Sequence, residues 1–401
     1  MAPGSKIDDS EITATNNLFS DVVTLTSPPL PTLPVDVILE ILCRLPAKLL
    51  LQLRSVCKWW NFLISDSKFI KKHLRMSTTR RRLHFLRYLS RPQNKYILTS
   101  YPLDSVFTNL NTDLTEFEYS PNNFKGDYPR TTFEHFIGSC NGILCFADHY
   151  KGLVILWNPS IRKFKDLPLF TKPDVCIDFH MTFGFGYDSS TDQYKVVVVL
   201  DYLVPVSTTI WVLETEVKVH ILGTNIWRSI PTYPFGGVPV PSALSGKYVS
   251  GTMNWLVSKD PLGWGKPCYI LSFDLVNESY QMILPHIDGE DMCDLWSIGV
   301  LRDCLCVTSG NDVWIMEEYG NKESWTKLFT VPYMRVRDNS HVLITPIYMF
   351  DDDQVILKFN SDNDLDLALY DSKSDTLKLT DFHPIDYQTI PEVCIESLIS
   401  P

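Results

Sequence analysis

The 401-residue sequence lacks the cysteine and histidine spacings that mark common metal and redox sites. Its ten cysteines include no CxxC pair, and its nine histidines form no HExxH motif. Zinc sites and thiol redox centres are therefore not predicted, and we expect no metal and no cofactor. We expect the cysteines to be buried, reduced thiols, with Cys304 and Cys306 alternating along a strand.

A surplus of basic residues is also missing. The chain has 36 Lys and Arg against 47 Asp and Glu, which argues against general nucleic-acid binding. Residues 1–30 are polar, end in "SPPLP" and lack the apolar run of a secretory signal, so we expect a disordered tail on an intracellular protein of the cytoplasm, the nucleus or both. The apolar stretch that follows is too short and too often interrupted by charges to span a membrane.

Residues 33–64 contain more apolar side chains than so small a unit can bury. In this stretch 21 of 32 residues are apolar, and units below about 40 residues usually need a partner, a metal or disulfides. Pro34 and Pro46 bracket one predicted helix. A second helix is predicted from apolar residues at spacings of three and four: Leu50, Leu53, Cys57, Trp60 and Ile64. Four further apolar residues lie off this helical face: Leu49, Leu51, Val56 and Trp59. The pattern therefore favours a partner protein that covers them.

A basic segment follows. Residues 68–95 carry ten Lys or Arg and no acidic residue. We expect a solvated basic linker over residues 78–94, and a nuclear-import signal is the alternative.

From about residue 82 the pattern changes to short strands separated by turns. Five modules end in similar Pro-terminated segments, at Pro168, Pro231, Pro285, Pro332 and Pro384. Four-stranded units that recur at roughly 40–50 residues are typical of β-propeller blades. We therefore predict a mainly β protein of about six blades after a small α-helical domain, with a pair of β-sandwiches as the alternative.

The predicted sixth blade is assembled from both ends of the β region. Residues 83–103 precede the first complete module, and the C-terminal segment around 392–399 is too apolar for a frayed tail. Unpaired strand edges invite aggregation. We expect the C-terminal strand to pair with the early strands and close the ring.

Three short motifs could indicate an enzyme. "GSCNG" at 138–142 has the form of a nucleophile elbow around Cys140, but a strand rather than a helix is predicted after it. "GFG" at 184–186 lacks the third glycine and the helix of a phosphate loop. "DDD" at 351–353 lies where a hairpin turn is predicted. None of the three predicts catalysis.

The helical segment "LPVDVILEILCRLPAKLLLQLRSVCKWWNFLISDSKFI" closely resembles an F-box, the module that docks onto the Skp-family adaptor of cullin-based ubiquitin ligases. The resemblance covers residues 31–77 and departs at Leu49, where the family usually has Ser. It implies these adaptor-binding residues: Leu33, Pro34, Ile38, Ile41, Leu42, Leu45, Pro46, Leu50, Leu51, Val56, Cys57, Trp60 and Leu63.

The remainder, residues 95–401, is similar to the F-box-associated domain of plant F-box proteins of the S-locus and kelch-like types. The segments that carry this resemblance are "GSCNGILCF", "LWNPSIRKFKDLP", "FGFGYDSSTDQYKVV" and "ESLISP". Kelch repeats have a Gly-Gly pair in every blade, whereas Gly236-Gly237 is the only such pair here. The resemblance therefore implies a propeller without kelch repeats.

Together the two resemblances imply a non-catalytic substrate receptor of a ubiquitin ligase. Its partners would be the adaptor, cullin through the adaptor, and an unidentified target protein. A scaffold or decoy that assembles no active ligase is the alternative. The long insertions at 201–210 and 231–244 are candidate target-binding loops, with Tyr202, Tyr233 and Phe235 as exposed anchors or, alternatively, as side chains that pack under their own loops.

Overall fold

The structure is a computed structural model. It describes residues 33–77, 79–89, 95–103, 115–119, 134–148, 152–170, 179–207, 211–233, 237–239, 245–258, 268–285, 296–332, 343–360, 365–379 and 391–401. The tail predicted over residues 1–30 lies outside these ranges. The chain divides into two compact units, Met1–Leu42 and Cys43–Pro401.

Four helices form the N-terminal region: α1 Val35–Cys43, α2 Ala47–Leu53, α3 Lys58–Ser65 and α4 Ser67–Met76. As predicted, Pro34 lies immediately before α1, and Pro46 is the N-cap residue of α2. The spacing predicted a single second helix, and this prediction is wrong. The chain turns between Arg54 and Cys57, so two helices, α2 and α3, form instead. Asp66 then caps α4 by accepting from the backbone N–H of Lys68 and Phe69.

The strands form six antiparallel sheets, which are the six blades of a propeller. Blade 1 contains β1 Arg81–Leu89, β2 Lys95–Pro102, β3 Thr115–Tyr119 and the last strand, β25 Pro391–Ile395. Blade 2 contains β4 Glu134–Cys140, β5 Ile143–Asp148, β6 Val154–Asn158 and β7 Lys163–Asp166. Blade 3 contains β8 Phe179–Asp188, β9 Gln193–Pro205, β10 Trp211–Ile221 and β11 Trp227–Ile230.

The other three blades follow the same plan. Blade 4 contains β12 Val238–Pro239, β13 Lys247–Val249, β14 Thr252–Ser258, β15 Cys268–Asp274 and β16 Tyr280–Ile283. Blade 5 contains β17 Trp296–Leu301, β18 Cys304–Ser309, β19 Asp312–Met316 and β20 Trp325–Thr330. Blade 6 contains β21 Leu343–Met349, β22 Gln354–Asn360, β23 Leu365–Asp371 and β24 Thr376–Leu379. The predicted propeller is confirmed, and the alternative of paired β-sandwiches is wrong.

The first strand of a blade lies nearest the centre of the ring, except in blade 1, where the last strand of the chain, β25, takes this position. These inner strands are neighbours of one another: β4 lies beside β8, β8 beside β13 and β14, and β17 beside β21. The last strand, β25, contacts both β21 and β4 and pairs with β1 in the register Leu83↔Val393. The prediction that the C-terminal strand pairs with the early strands and seals the ring is confirmed.

The basic linker predicted over residues 78–94 is wrong for the part that forms β1, at residues 81–89. Two of its arginines, Arg81 and Arg82, are held in the sheet rather than solvated. The Arg82 Nε donates to Ser100 Oγ at 2.6 Å, and the Arg81 guanidinium lies 4.9 Å from the ring centroid of Tyr348. The strand pairs with β25, more than 300 residues away in the sequence.

Four of the five module-ending prolines lie one or two residues after an outermost strand. Pro168 comes after β7, Pro231 after β11, Pro285 after β16 and Pro332 after β20. Proline lacks the N–H that would extend the strand, so it ends each blade. Pro384 lies outside the described residues.

The cysteine prediction holds for most of the described thiols. Seven cysteines are free, and five of them are buried, including Cys306 in β18. Cys268 is disulfide-bonded, so the expectation of a reduced thiol is wrong at that position. No spacing motif in the sequence marks this residue as a bridge.

Candidate functional site

In the first compact unit the apolar side chains are largely exposed. The exposed fractions are 56% for Leu33, 43% for Val35, 42% for Val37 and 48% for Ile41. A monomer has no reason of its own to present four large apolar side chains along nine residues of chain. This is the exposed apolar surface that the composition predicts.

The helices of the second unit show the same property. Leu49 on α2 is 44% exposed, Val56 in the following turn is 66% exposed and Phe62 on α3 is 75% exposed. The opposite side of these helices is buried, with Leu50 at 0% and Ile64 at 1%. Each helix therefore has an apolar side that packs within the protein and a second apolar side in contact with solvent.

The adaptor-binding residues implied by the resemblance fall into three groups. Leu42 and Leu50 are buried in the core, at 2% and 0%, so in the isolated protein they support the helices and are not available for contact. The exposed members are Leu33, Pro34, Ile41, Val56 and Cys57, and the half-buried members are Ile38, Leu45, Pro46, Leu51, Trp60 and Leu63. Phe62 was missed, although it is the most exposed large apolar residue of the chain's described part.

Helix α4 is tied to the propeller at the end of the blades where the first two strands of each blade are joined. Lys71 forms an ion pair with Asp192, in the turn between β8 and β9. Arg80 donates to the carbonyl of Leu45 at 2.8 Å, and its own carbonyl accepts from the N–H of Glu396 at 3.0 Å, directly after β25. The helices α2–α4 are thus held against one end of the propeller rather than suspended on a flexible linker.

The opposite end of the propeller carries the far end of a long antiparallel strand pair, β9 and β10. In blade 3, β9 and β10 pair from Ile221↔Lys195 to Trp211↔Pro205, a span of roughly 33 Å at 3.3 Å per residue. Lys195 lies near the turn that contacts α4, so Pro205 lies at the far end. Among the described residues, β8 pairs with β9 as far as Tyr202, and β11 pairs with β10 from Val217 onward.

The three predicted target anchors have different surroundings. Tyr202 is half-buried and packs partly against the core between blades 2 and 3, and its hydroxyl donates to Glu214 at 3.2 Å. Tyr233 is 5% exposed, and its hydroxyl donates to the carbonyl of Gly237 at 2.8 Å. Of the two alternatives left open for Tyr233, the exposed anchor is excluded, because the ring packs in the core between blades 3 and 4. Phe235 lies outside the described residues.

The possible enzyme motifs have structural explanations. Cys140 ends β4 and pairs with Ile143 across the turn formed by Asn141 and Gly142, so a strand follows it rather than a helix. Burial raises the pKa of its thiol far above the ordinary value, which opposes formation of a thiolate. Among the described residues no group of three or more His, Cys, Asp or Glu side chains could hold a metal.

The "GFG" and "DDD" motifs lie in packed sheet and in a turn. A Cβ on Gly184 would meet the Met253 side chain at 2.5 Å, so this glycine permits close packing of blades 3 and 4. The three aspartates form the turn between β21 and β22, where Asp353 pairs with Arg302 and Lys373. As to membranes, none of the described helices combines the length and hydropathy needed to cross one.

Four N-terminal helices followed by a six-bladed propeller define the class of F-box proteins with a β-propeller. The F-box-like family model matches residues 30–77, and the F-box associated beta propeller domain matches residues 94–401. The second match covers more than half of the chain, so the chain belongs to the F-box associated β-propeller family.

Curated relatives from Arabidopsis thaliana align over nearly the whole chain. The F-box/kelch-repeat protein At3g23880 is 28% identical over 379 residues, covering 92% of this chain and 96% of the relative. The F-box protein CPR1 is 28% identical over 396 residues, covering 92% of this chain and 89% of the relative.

Proposed function

We propose that this protein is the substrate-recognition subunit of an SCF-type ubiquitin ligase. The helices bind a Skp-family adaptor, the propeller binds a target protein, and other subunits supply the ubiquitin-transfer chemistry. The observation that carries the proposal is the exposure of Val56 and Phe62 in a region that matches the F-box-like model. Large apolar side chains left in solvent by the fold are typical of an interface that awaits its partner.

Catalysis in this proposal is by proximity. The receptor holds a target lysine near the charged conjugating enzyme, which raises the effective concentration of the two reactants. This requires a fixed distance between the adaptor and the target. The anchoring of α4 through Lys71 and Arg80 supports such an arrangement, because it joins the adaptor-binding helices α2–α4 to one end of the propeller.

A pull-down with purified Skp-family adaptor and cullin tests the proposal. Val56→Asp combined with Phe62→Asp should abolish recovery of the adaptor, since both changes place a charge in an apolar interface. The control variant is Ile226→Asp, which alters an equally exposed residue, at 70%, in the turn between β10 and β11 of the propeller. Equal recovery of the adaptor with all three proteins would contradict the F-box role.

The alternative is a scaffold or decoy that binds the adaptor without assembling a ligase. The same pull-down separates the two functions, because a receptor recovers cullin together with the adaptor. A decoy recovers the adaptor alone.

A further inference from the structure

Two lysine side chains approach the centre of the propeller from different blades. Lys247 is on β13, an inner strand of blade 4, and this strand contacts the inner strands of blades 2, 3 and 5. Lys358 is on β22, the second strand of blade 6, where it lies in register with Thr345 on the inner strand β21. Both lysines are partly exposed, so solvent reaches them.

The charge of Lys247 acts on groups of two other blades. Burial and the nearby Lys247 ammonium together lower the pKa of Lys358, on blade 6, to about 8. The same charge opposes the rise in pKa that burial causes at Cys306, on β18 of blade 5. A side chain of blade 4 can come close to blade 6 only across the centre of the ring. The Lys247 ammonium therefore lies in the central channel.

The side chain of Lys358 reaches the same channel from the opposite side. Ile356, two residues earlier and hence on the same face of β22, packs in the core formed by residues of blades 1 and 6. The aliphatic stem of Lys358 follows this apolar face, and the ammonium extends to the solvent of the channel. Thr345 lies directly opposite and has its partly exposed side chain on the same face. Its hydroxyl is a third polar group at this position.

Within the part of the chain that the structure describes, no carboxylate neutralises this pair. Neither ammonium has a hydrogen bond or an ion pair with another described residue. On the inner strand of blade 1, Glu392 accepts instead from Ser139 Oγ of blade 2 at 2.8 Å. Two like charges held close together and partly desolvated destabilise the fold. The pair therefore calls for an anion that the described residues do not supply.

We propose that the central channel of the propeller is a binding site for a small phosphate-bearing molecule, whose oxygens pair with Lys247 and Lys358 and accept a hydrogen bond from Thr345. Lysine binds phosphate as a compact point charge, and the two positive charges match the roughly two negative charges of one phosphate group near neutral pH. The net charge of the chain is −11, which repels anions in general, so the local pair provides the attraction. This inference does not depend on the ligase function.

The experiment titrates the full-length chain at pH 7 with inorganic phosphate and with pyrophosphate, while KCl keeps the ionic strength constant. Both anions should raise the melting temperature of wild type by at least 2 °C. Pyrophosphate should bind Lys247→Met and Lys358→Met at least tenfold more weakly than wild type. The matched control is Lys322→Met, which removes the charge of an exposed lysine between β19 and β20. It should bind pyrophosphate within twofold of wild type.

Two further measurements separate a ligand site from a structural role. Without phosphate, Lys358→Met should melt at or above wild type, because it removes one of two like charges, and at saturating phosphate it should melt below wild type. Pyrophosphate should also slow the acetylation of Lys247 and Lys358 by acetic anhydride at least threefold, as read by mass spectrometry, and leave Lys322 unchanged.

Three results would overturn the inference. They are a wild-type melting temperature that neither anion changes, equal affinity of wild type, Lys247→Met and Lys358→Met for pyrophosphate, and a Lys358→Met protein that melts below wild type without phosphate. The last result would mean that Lys358 supports the fold itself.

Discussion

The amide Nδ2 of Asn158, at the end of β6, donates to the carbonyl of Ile399 at 2.7 Å, across 241 residues of sequence. A second bond from the same nitrogen reaches the carbonyl of Ser397 at 3.0 Å. Blade 2 therefore holds the C-terminal residues that follow β25. The ring is closed by this contact as well as by the pairing of β25 with β1.

The closure of the ring can be tested with a single substitution at Gly142. Its φ is +84°, and a Cβ at this position would lie 2.2 Å from Ser397 Cβ. Gly142→Ala should therefore destabilise the protein by about 1–3 kcal/mol more than the backbone strain alone, the range for an overpacked core. The matched control is Gly251→Ala, which has a φ of +81° and nothing within 4 Å. Urea unfolding measures both free energies.

A second comparison separates the clash from the strain. In a Ser397→Gly background the Gly142→Ala change should lose most of its excess cost, because the atom it meets is gone. An equal cost for Gly142→Ala and Gly251→Ala would show that the C-terminal residues do not pack here.

Removing residues 391–401 should damage the propeller far more than the loss of eleven residues suggests. The deletion takes away the inner strand of blade 1 and leaves edges on β1 and on the neighbouring inner strands. We expect aggregation, or a melting temperature lower by at least about 10 °C, since 1 kcal/mol corresponds to roughly 2–4 °C in a domain of about 200 residues. A soluble truncated protein with an unchanged melting temperature would contradict the closure.

These features differ in how far the sequence could predict them. The module-ending prolines and the apolar C-terminus are local signals, so the blade number and the closure could be predicted. The strand β1 was interpreted as a linker because Arg81 and Arg82 resemble a solvated segment until their partners, Tyr348 and Ser100, are known.

The sequence also could not show which apolar residues of the helical region are buried and which are exposed. Leu50 on α2 and Phe62 on α3 belong to helices that are apolar on two sides, and only packing shows that Leu50 is buried at 0% while Phe62 is 75% exposed. The F-box resemblance gives the region and its partner class. It does not by itself distinguish the residues that support the helix from those left exposed.

Leu50→Ala and Phe62→Ser should therefore both weaken adaptor binding, but for different structural reasons. Truncating buried Leu50 should cost about 2–5 kcal/mol and unfold the helical region, so adaptor binding is lost together with helical circular dichroism and hydrogen-exchange protection in α2 and α3. Phe62→Ser should weaken adaptor binding and leave both structural signals unchanged. The same loss of protection in both variants would contradict the assignment of Phe62 to the surface.

The two buried aspartates of blade 3 should have opposite effects on stability. The pKa of Asp201 in the folded protein, about 6, lies above its ordinary value of 3.8, so the ionised form destabilises the fold above pH 6. Its cost should disappear as the pH falls from about 7 to 4, because the folded state then binds the proton more tightly than the unfolded state. Facing groups on neighbouring elements are His180, Thr215 and Tyr233.

Asp201→Asn should accordingly be more stable than wild type at pH 7.5, by up to about 3 kcal/mol at 1.36 kcal/mol per pKa unit, with the difference shrinking towards pH 4.5. Asp188→Asn is the control, because we expect it to change the stability in the opposite direction. Burial alone would raise the pKa of Asp188, but hydrogen bonds from Ser190, Lys195 and Thr191 lower it, so Asp188→Asn should be destabilised at pH 7.5. Urea unfolding of the three proteins across this pH range gives both differences, and a pH-independent difference for Asp201→Asn would contradict the raised pKa.

The central claim, that this chain is the receptor of a ubiquitin ligase, is tested most directly by a reconstituted reaction. Purified full-length protein is combined with Skp-family adaptor, cullin with its RING subunit, and charged conjugating enzyme, and ubiquitin attached to this chain and to its bound proteins is measured over time. The account predicts conjugation that requires the adaptor and is lost in Val56→Asp/Phe62→Asp, while Cys140→Ser stays within about twofold of wild type. Conjugation that proceeds without adaptor, or a ubiquitin thioester on this chain that vanishes with Cys140→Ser, would contradict it.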